Sequence, residues 1–157
     1  MDSTNTNTTA KKSVDVDVQV EASRAVRAWL NSSPCKPCQI GMEYLPDDYG
    51  CAITVTETPY KVRQYIGGGY LAAYECDLIY RCTPVTDEER LKADENLDEL
   101  AVWATNHAAD LHIDGAVLRR VQRTTPATLV ARYSNGAEDH TAHLIIQFEV
   151  INHGRCN

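Results

Sequence analysis

No apolar run in this chain approaches the ~18 consecutive residues that a bilayer-spanning helix needs. The densest late stretch, "HLIIQFEVI", has the length of a strand, so no membrane partner is expected. The opening "MDSTNTNTTAKKS" lacks an apolar segment and a small-residue cleavage site after one, and so does not read as a secretory signal. Residues 1–13 are expected to form a flexible arm, and residues 14–157 one domain. Positive charge is also scarce: 15 Lys and Arg against 22 Asp and Glu give a net charge of -7. A general nucleic-acid binder needs a basic surface to displace counterions from phosphates, so the charge argues against that class. No phosphate loop of the form G-x-x-x-x-G-K-[ST] and no G-x-G-x-x-G that opens a helix is present. No local arrangement points to a Ser-His-Asp site either, so neither a catalytic residue nor a cofactor is expected. Internal repeats are missing as well.

What is present is a chain of ordinary globular composition, 43% hydrophobic and 24% charged, long enough to bury roughly 70% of its unfolded surface. It carries six cysteines. Without a leader they are expected as the free thiols of a reducing cytosol. Cys35 and Cys38, in "SPCKPC", form half of a four-ligand zinc pattern. The other half is missing. Cys76 and Cys82 lie six residues apart in an expected strand, ~20 Å at 3.3 Å per residue, too far for a shared metal. His140 and His143 are three apart in a strand and should face opposite ways. His107 and His112 could pair only across a bend. A thioredoxin-like site needs its thiols at a helix N-terminus, whereas this motif follows a helix. Free thiols, a loop disulfide or a small redox or zinc site thus stay open for Cys35 and Cys38, with no metal ligand assigned.

The periodicity gives an element order. "VDVDVQVEASRAVRAWLNSSP" predicts a helix from about Val16 to Asn31, ended by Pro34. "QIGMEYL" and "CAITVTET" predict short strands around the turn "PDDYG". Two more strands flank Gly67-Gly68-Gly69, and in the second Tyr70, Ala72, Tyr74, Cys76, Leu78, Tyr80 and Cys82 share a core face by alternation. A second helix starts at a capping box of Thr86 and Glu89, with Ala93, Leu97, Leu100, Ala104 and Ala108 as its apolar stripe. Asp94, Glu95, Asp98 and Glu99 are expected on its solvated face. Three strands should follow: "AVLRRVQRT", "ATLVARYS" and "EDHTAHLIIQFEVI". A two-residue Asn135-Gly136 turn would join the last two, pairing Arg132 with Asp139, Ala131 with His140 and Leu129 with Ala142. Ala127, Leu129 and Ala131 would then share the face of Ala142, Leu144, Ile146, Phe148 and Val150. The fold expected is α+β, an antiparallel sheet with two helices on one face and the other face open.

Basic residues cluster against the acidic background. Lys61 and Arg63 flank the glycine-tipped hairpin, Arg119, Arg120 and Arg123 share a strand, and Arg132 lies in the next. Such charges either pair internally or meet acidic neighbours. Edge strands, charged patches and a glycine-rich tip suit contacts between subunits, so Lys61, Arg63, Gly67, Gly68, Gly69, Arg119, Arg120 and Arg123 are the candidate interface residues.

The run "EYLPDDYGCAITVTETPYKVRQYIGGGYLAAYECDLIYRC", an acidic helix, and "RRVQRTTPATLVARYSNGAEDHTAHLIIQFEVI" together resemble the tail terminator (minor capsid) proteins of long-tailed bacteriophages and prophages. The likeness spans about residues 16–152 and lies in length, element order and the closing pattern of strands. It implies a virion structural protein assembled in the bacterial cytoplasm. Such a protein would form a hexameric homo-oligomer that caps the tail tube, stops its polymerisation and joins it to the head-side connector or stopper. DNA would cross the lumen without specific binding. No catalytic residue is implied. Another neck component, a connector or stopper, is the neighbouring reading. The cysteines and the polar arm depart from the family pattern.

Overall fold

A computed structural model describes residues 10–56 and 61–151. The expected arm lies mostly outside them, and so do the closing residues of the chain. Helix α1 spans Ala10–Asn31, and so begins inside the segment expected to be an arm. Among its described side chains the buried ones are Ala22, Val26, Trp29 and Leu30, at helical spacing. Strands β1 (Ile40–Met42) and β2 (Gly50–Val55) follow, then β3 (Lys61–Gln64) and β4 (Tyr70–Cys82). Helix α2 covers Asp87–Asn106 and leads into a short 3-10 turn at Ala108–Asp110. Strands β5 (Ala116–Arg132) and β6 (Glu138–Val150) close the chain.

The fold is α+β: two helices pack on one face of a six-stranded sheet in the order β1-β2-β4-β6-β5, with β3 also paired to β4. All pairings are antiparallel except β1 with β2, which is parallel. The short return between them is made possible by Glu43, whose φ of 59° turns the chain and whose carboxylate accepts the Val55 amide at 2.9 Å. Gly50 is required at the start of β2, because a Cβ there would lie 2.7 Å from Pro46 Cδ.

"SPCKPC" is the link between α1 and β1. Asn31 clamps its two ends, accepting the Ile40 amide at 2.8 Å and donating to the Ile40 carbonyl at 3.0 Å. Lys36 Nζ reaches back to the Asn31 carbonyl at 2.6 Å, supplying a cation where the helix exposes its last oxygens. The far end of the helix layer is fixed by Trp29, whose indole donates to the His107 carbonyl at 3.0 Å and lies against Trp103.

The alternation in β4 holds: Tyr70 and every second residue to Cys82 are buried under the helices. On β6 the matching set is Ala142, Leu144, Ile146, Phe148 and Val150. Helix α2 starts as the capping box requires, with Thr86 Oγ1 accepting the Glu89 amide at 3.2 Å. The Glu89 carboxylate returns to the Val85 amide at 2.6 Å, one residue before the cap.

Two expectations about the closing strands are corrected. The segments "AVLRRVQRT" and "ATLVARYS" form one continuous strand, so two strands follow α2 and not three. Pro126 does not break β5 because β5 is an edge strand, where a missing N–H costs no ladder bond, and the register shifts around it. Asp98 on α2 accepts the Ala127 amide at 2.8 Å, which satisfies the backbone beside the irregularity. The β5–β6 turn is also longer than expected. Tyr133 accepts from the Gly136 amide and donates to the Ala137 carbonyl, so the loop is Ser134-Asn135-Gly136 with Gly136 at φ 87°. The register therefore moves by one, pairing Arg132 with Glu138 and Ala131 with Asp139. A further shift pairs Leu129 with His140 and keeps it on the helix face, while Ala131 turns to the other.

Candidate interaction surface

The β3–β4 hairpin and the β5–β6 hairpin share one turn geometry. In the first, Tyr65 accepts from the Gly68 amide at 3.1 Å and donates to the Gly69 carbonyl at 2.8 Å, and Gly68 has φ 93°. This three-residue loop requires one left-handed glycine, which is Gly68. Gly67 meets no such demand, since a Cβ there would have nothing within 4 Å. The loop stands clear of the body.

It carries apolar surface with it. Ile66, beside the glycines, is 109% exposed relative to an extended reference, and Val62 is 54% exposed. All four residues of β3 face solvent. Lys61 Nζ lies 4.5 Å from the centre of the Tyr70 ring, while Arg63 is exposed. The hairpin is thus an apolar tip on a basic stem. Sequence reasoning chose its glycines and cations and missed Ile66 and Val62, although "VRQYI" places Ile66 beside the glycines and Val62 next to Lys61 and Arg63.

The arginines of β5 do not form a single patch. A bulge between Leu118 and Arg120 sets Arg119 beside β6, where it donates to Glu149 Oε2 at 2.6 Å. Glu149 Oε1 accepts the Tyr65 hydroxyl at 3.0 Å, so one carboxylate joins Arg119 to the base of the hairpin. The hydrogen bond from Arg119, then that from Tyr65, hold the Glu149 carboxyl below the usual range. Arg120 is exposed on the same open face, opposite Gln147. Arg123 faces the other way and binds Asp98 on α2 at 2.6 Å. Arg132, expected opposite Asp139, instead approaches Glu138 at 3.3 Å.

Charges on the open face of the sheet are largely paired. Arg81 grips Asp139 with two bonds of 2.7 and 2.9 Å, and Tyr133 donates to the same carboxylate at 2.7 Å. Burial pushes the Asp139 carboxyl up, but these donors outweigh it and hold it below its ordinary value. His143 bonds Asp77 at 2.8 Å through Nδ1, with Glu75 at 3.4 Å from Nε2.

His140, as expected, faces the opposite way from His143. It is buried under α2, where its Nδ1 lies 2.7 Å from Asp94. Its Nε2 is 3.4 Å from buried Glu138 Oε2, with no hydrogen bond at either atom. Arg90 Nε donates to the other Glu138 oxygen at 2.8 Å. Burial raises the Glu138 carboxyl, and the Arg90 bond and charge bring it below its ordinary value. Of the four α2 carboxylates expected on a solvated face, Asp94 and Asp98 therefore bind the sheet, while Glu95 and Glu99 are exposed. These contacts follow from tertiary packing, and the helical pattern gave no sign of them.

Cys35 and Cys38 face different surroundings, and Cys38 lies beside Cys51. Cys35 lines an open groove of about 520 Å³ along α2, with Glu95, Asp98, Glu99, Val102, Trp103 and His107 among its walls. Cys38 lines a different cavity with Cys51 and Tyr49. Burial, together with Cys38, pushes the Cys51 thiol well above its ordinary value, and burial pushes Cys76 to about 12 and Cys82 to about 11. Among the described residues no group of three or more His, Cys, Asp or Glu is placed to hold a metal ion. His107 stacks on Trp103, and His112 approaches Asp114 at 3.3 Å. No described helix is long and apolar enough to cross a membrane.

No family model matches the chain, and no curated protein matches it. Among the solved structures similar to this chain, one is similar over 88% of this chain and 97% of its own, at 15% identity and a TM-score of 0.42.

Proposed function

We propose that this protein is a structural component of a phage or prophage tail, a tail terminator that forms a ring on the last ring of the tail tube and presents a surface to the head-side connector. The observation that carries this reading is the β3–β4 hairpin, which holds Ile66 and Val62 in solvent on a basic stem anchored through Tyr65 and Glu149. Apolar side chains held out on a rigid support are what a subunit contact requires. The helix-bearing face supplies the core, and the paired charges of the other face suit a surface lining an interface or a lumen. DNA crossing an acidic ring would pass without adhering.

Light scattering after size exclusion, alone and with tail-tube protein, tests the proposal. A closed oligomer that binds the end of the tube is expected. A strictly monomeric mass in both conditions overturns it. An oligomer that binds the head-side ring and not the tube assigns the chain to a connector or stopper. The alternative of a thiol-based role concerns Cys35 and Cys38, which line separate cavities. The Cys35→Ser, Cys38→Ser double variant is expected to assemble as the parent does.

A further inference from the structure

We propose that the subunit contact is head to tail, with the β3–β4 hairpin of one copy seated in the α2 groove of the next. The inference rests on the ring reading and adds to it the receiving surface. The groove has an apolar floor, with Trp103 and with Val102 41% exposed, and a rim of Glu95, Asp98 and Glu99. Its volume of about 520 Å³ is ample for the Ile66 side chain and its flanks.

The occupant follows from complementarity. An apolar floor with a carboxylate rim fits an apolar tip on a cationic stem, and this chain carries such a tip in Ile66 with Val62, Lys61 and Arg63. Two rim carboxylates are already engaged within the chain, Asp98 by Arg123 at 2.6 Å and Glu95 by Lys92 at 3.3 Å. Among the described residues neither Glu99 nor Arg63 has an ion-pair partner, so these two are the charges to be matched across the joint. Ile66 is fully exposed, so the hairpin does not fill the groove of its own chain. The two patches are different surfaces of one molecule, so their contact is heterologous, and repetition around a rotation axis closes a ring. The hairpin loop has open space around Gly67, which leaves room for a neighbouring wall.

Mixing experiments distinguish this joint from others. Ile66→Asp disables the hairpin and Val102→Asp the groove, and both positions are exposed, so circular dichroism is expected to stay as in the parent. Each variant alone should be monomeric by light scattering, with association weakened at least tenfold. A 1:1 mixture should give a dimer and nothing larger, because one intact hairpin meets one intact groove. Arg63→Glu and Glu99→Lys should each weaken association, and the double variant should recover it.

If the parent forms its ring and all four variants do so equally well, the joint lies elsewhere; the inference falls and the ring reading stands. A mixture that stays monomeric likewise overturns the inference. A parent that is monomeric both alone and with tail-tube protein removes both.

Discussion

Strands β4 and β6 pair along their whole lengths, and their two faces live by different rules. Toward the helices, Ala72 opposes Phe148, Tyr74 opposes Ile146 and Cys76 opposes Leu144, each at most 1% exposed. On the other side, Asp77 opposes His143 and Arg81 opposes Asp139, the first three partly buried, Asp139 buried, and all held by hydrogen bonds. One backbone ladder thus carries a dry layer whose stability comes from removed water and a wet layer whose charges satisfy one another. A wet layer of matched pairs presents little unbalanced charge to a partner. On the proposed ring reading, recognition falls to what projects beyond the sheet, the hairpin and the outer side of α2.

Substitutions can break this contrast. The largest effect is expected for Phe148→Ala, which leaves a cavity in the dry layer and should cost about 3–5 kcal/mol, read as a lower urea midpoint at unchanged slope. On the wet side Asp139→Ala leaves Arg81 and Tyr133 without their shared acceptor. It should cost about 2 kcal/mol, less than the buried-pair range because both partners keep some access to water. A smaller effect appears on acidification. Folded Glu138 and Asp139 bind protons less readily than their unfolded counterparts, so the stability they contribute is complete above the ordinary carboxylate range of about 4 and is lost as pH falls below it, through their lower folded values. Urea midpoints at descending pH should show this decline, and it should be shallower in Asp139→Ala. The smallest effect is expected for Arg119→Ala on the exposed rim, with no measurable shift in midpoint; a large loss there would erase the distinction between the two layers.

Much of the dry layer is legible in the sequence, because strict alternation from Tyr70 to Cys82 and from Ala142 to Val150 admits one buried face. The start of α2 is legible for a similar reason, since Thr86 and Glu89 have a local use at a helix N-terminus. The break expected before "ATLVARYS" and the two-residue turn at Asn135-Gly136 are both absent from the fold for a physical reason. Proline breaks a strand only where its missing N–H is needed, and that depends on whether β5 lies at an edge. Asn-Gly suits a two-residue turn, yet a three-residue loop with glycine in the left-handed position uses the same pair and shifts the partners next to the turn by one. The surface is less legible in the sequence. Charge and glycine drew attention to Lys61, Arg63 and Gly67–Gly69, while the exposure of Ile66 and the groove beside Val102 exist only once the chain is folded.

"SPCKPC" marks the same division. By itself the sequence determined that a helix must end there, since Pro34 and Pro37 cannot continue one, and that the alternating segments beyond it must form a sheet with one apolar face. Only the tertiary structure decided where the two thiols point, which carboxylates of α2 turn inward to Asp98–Arg123 and Asp94–His140, and which apolar residue is left without cover. The reason is one of range: periodicity and turn chemistry act between neighbours in the chain, whereas burial and charge pairing are set by residues that folding alone brings together.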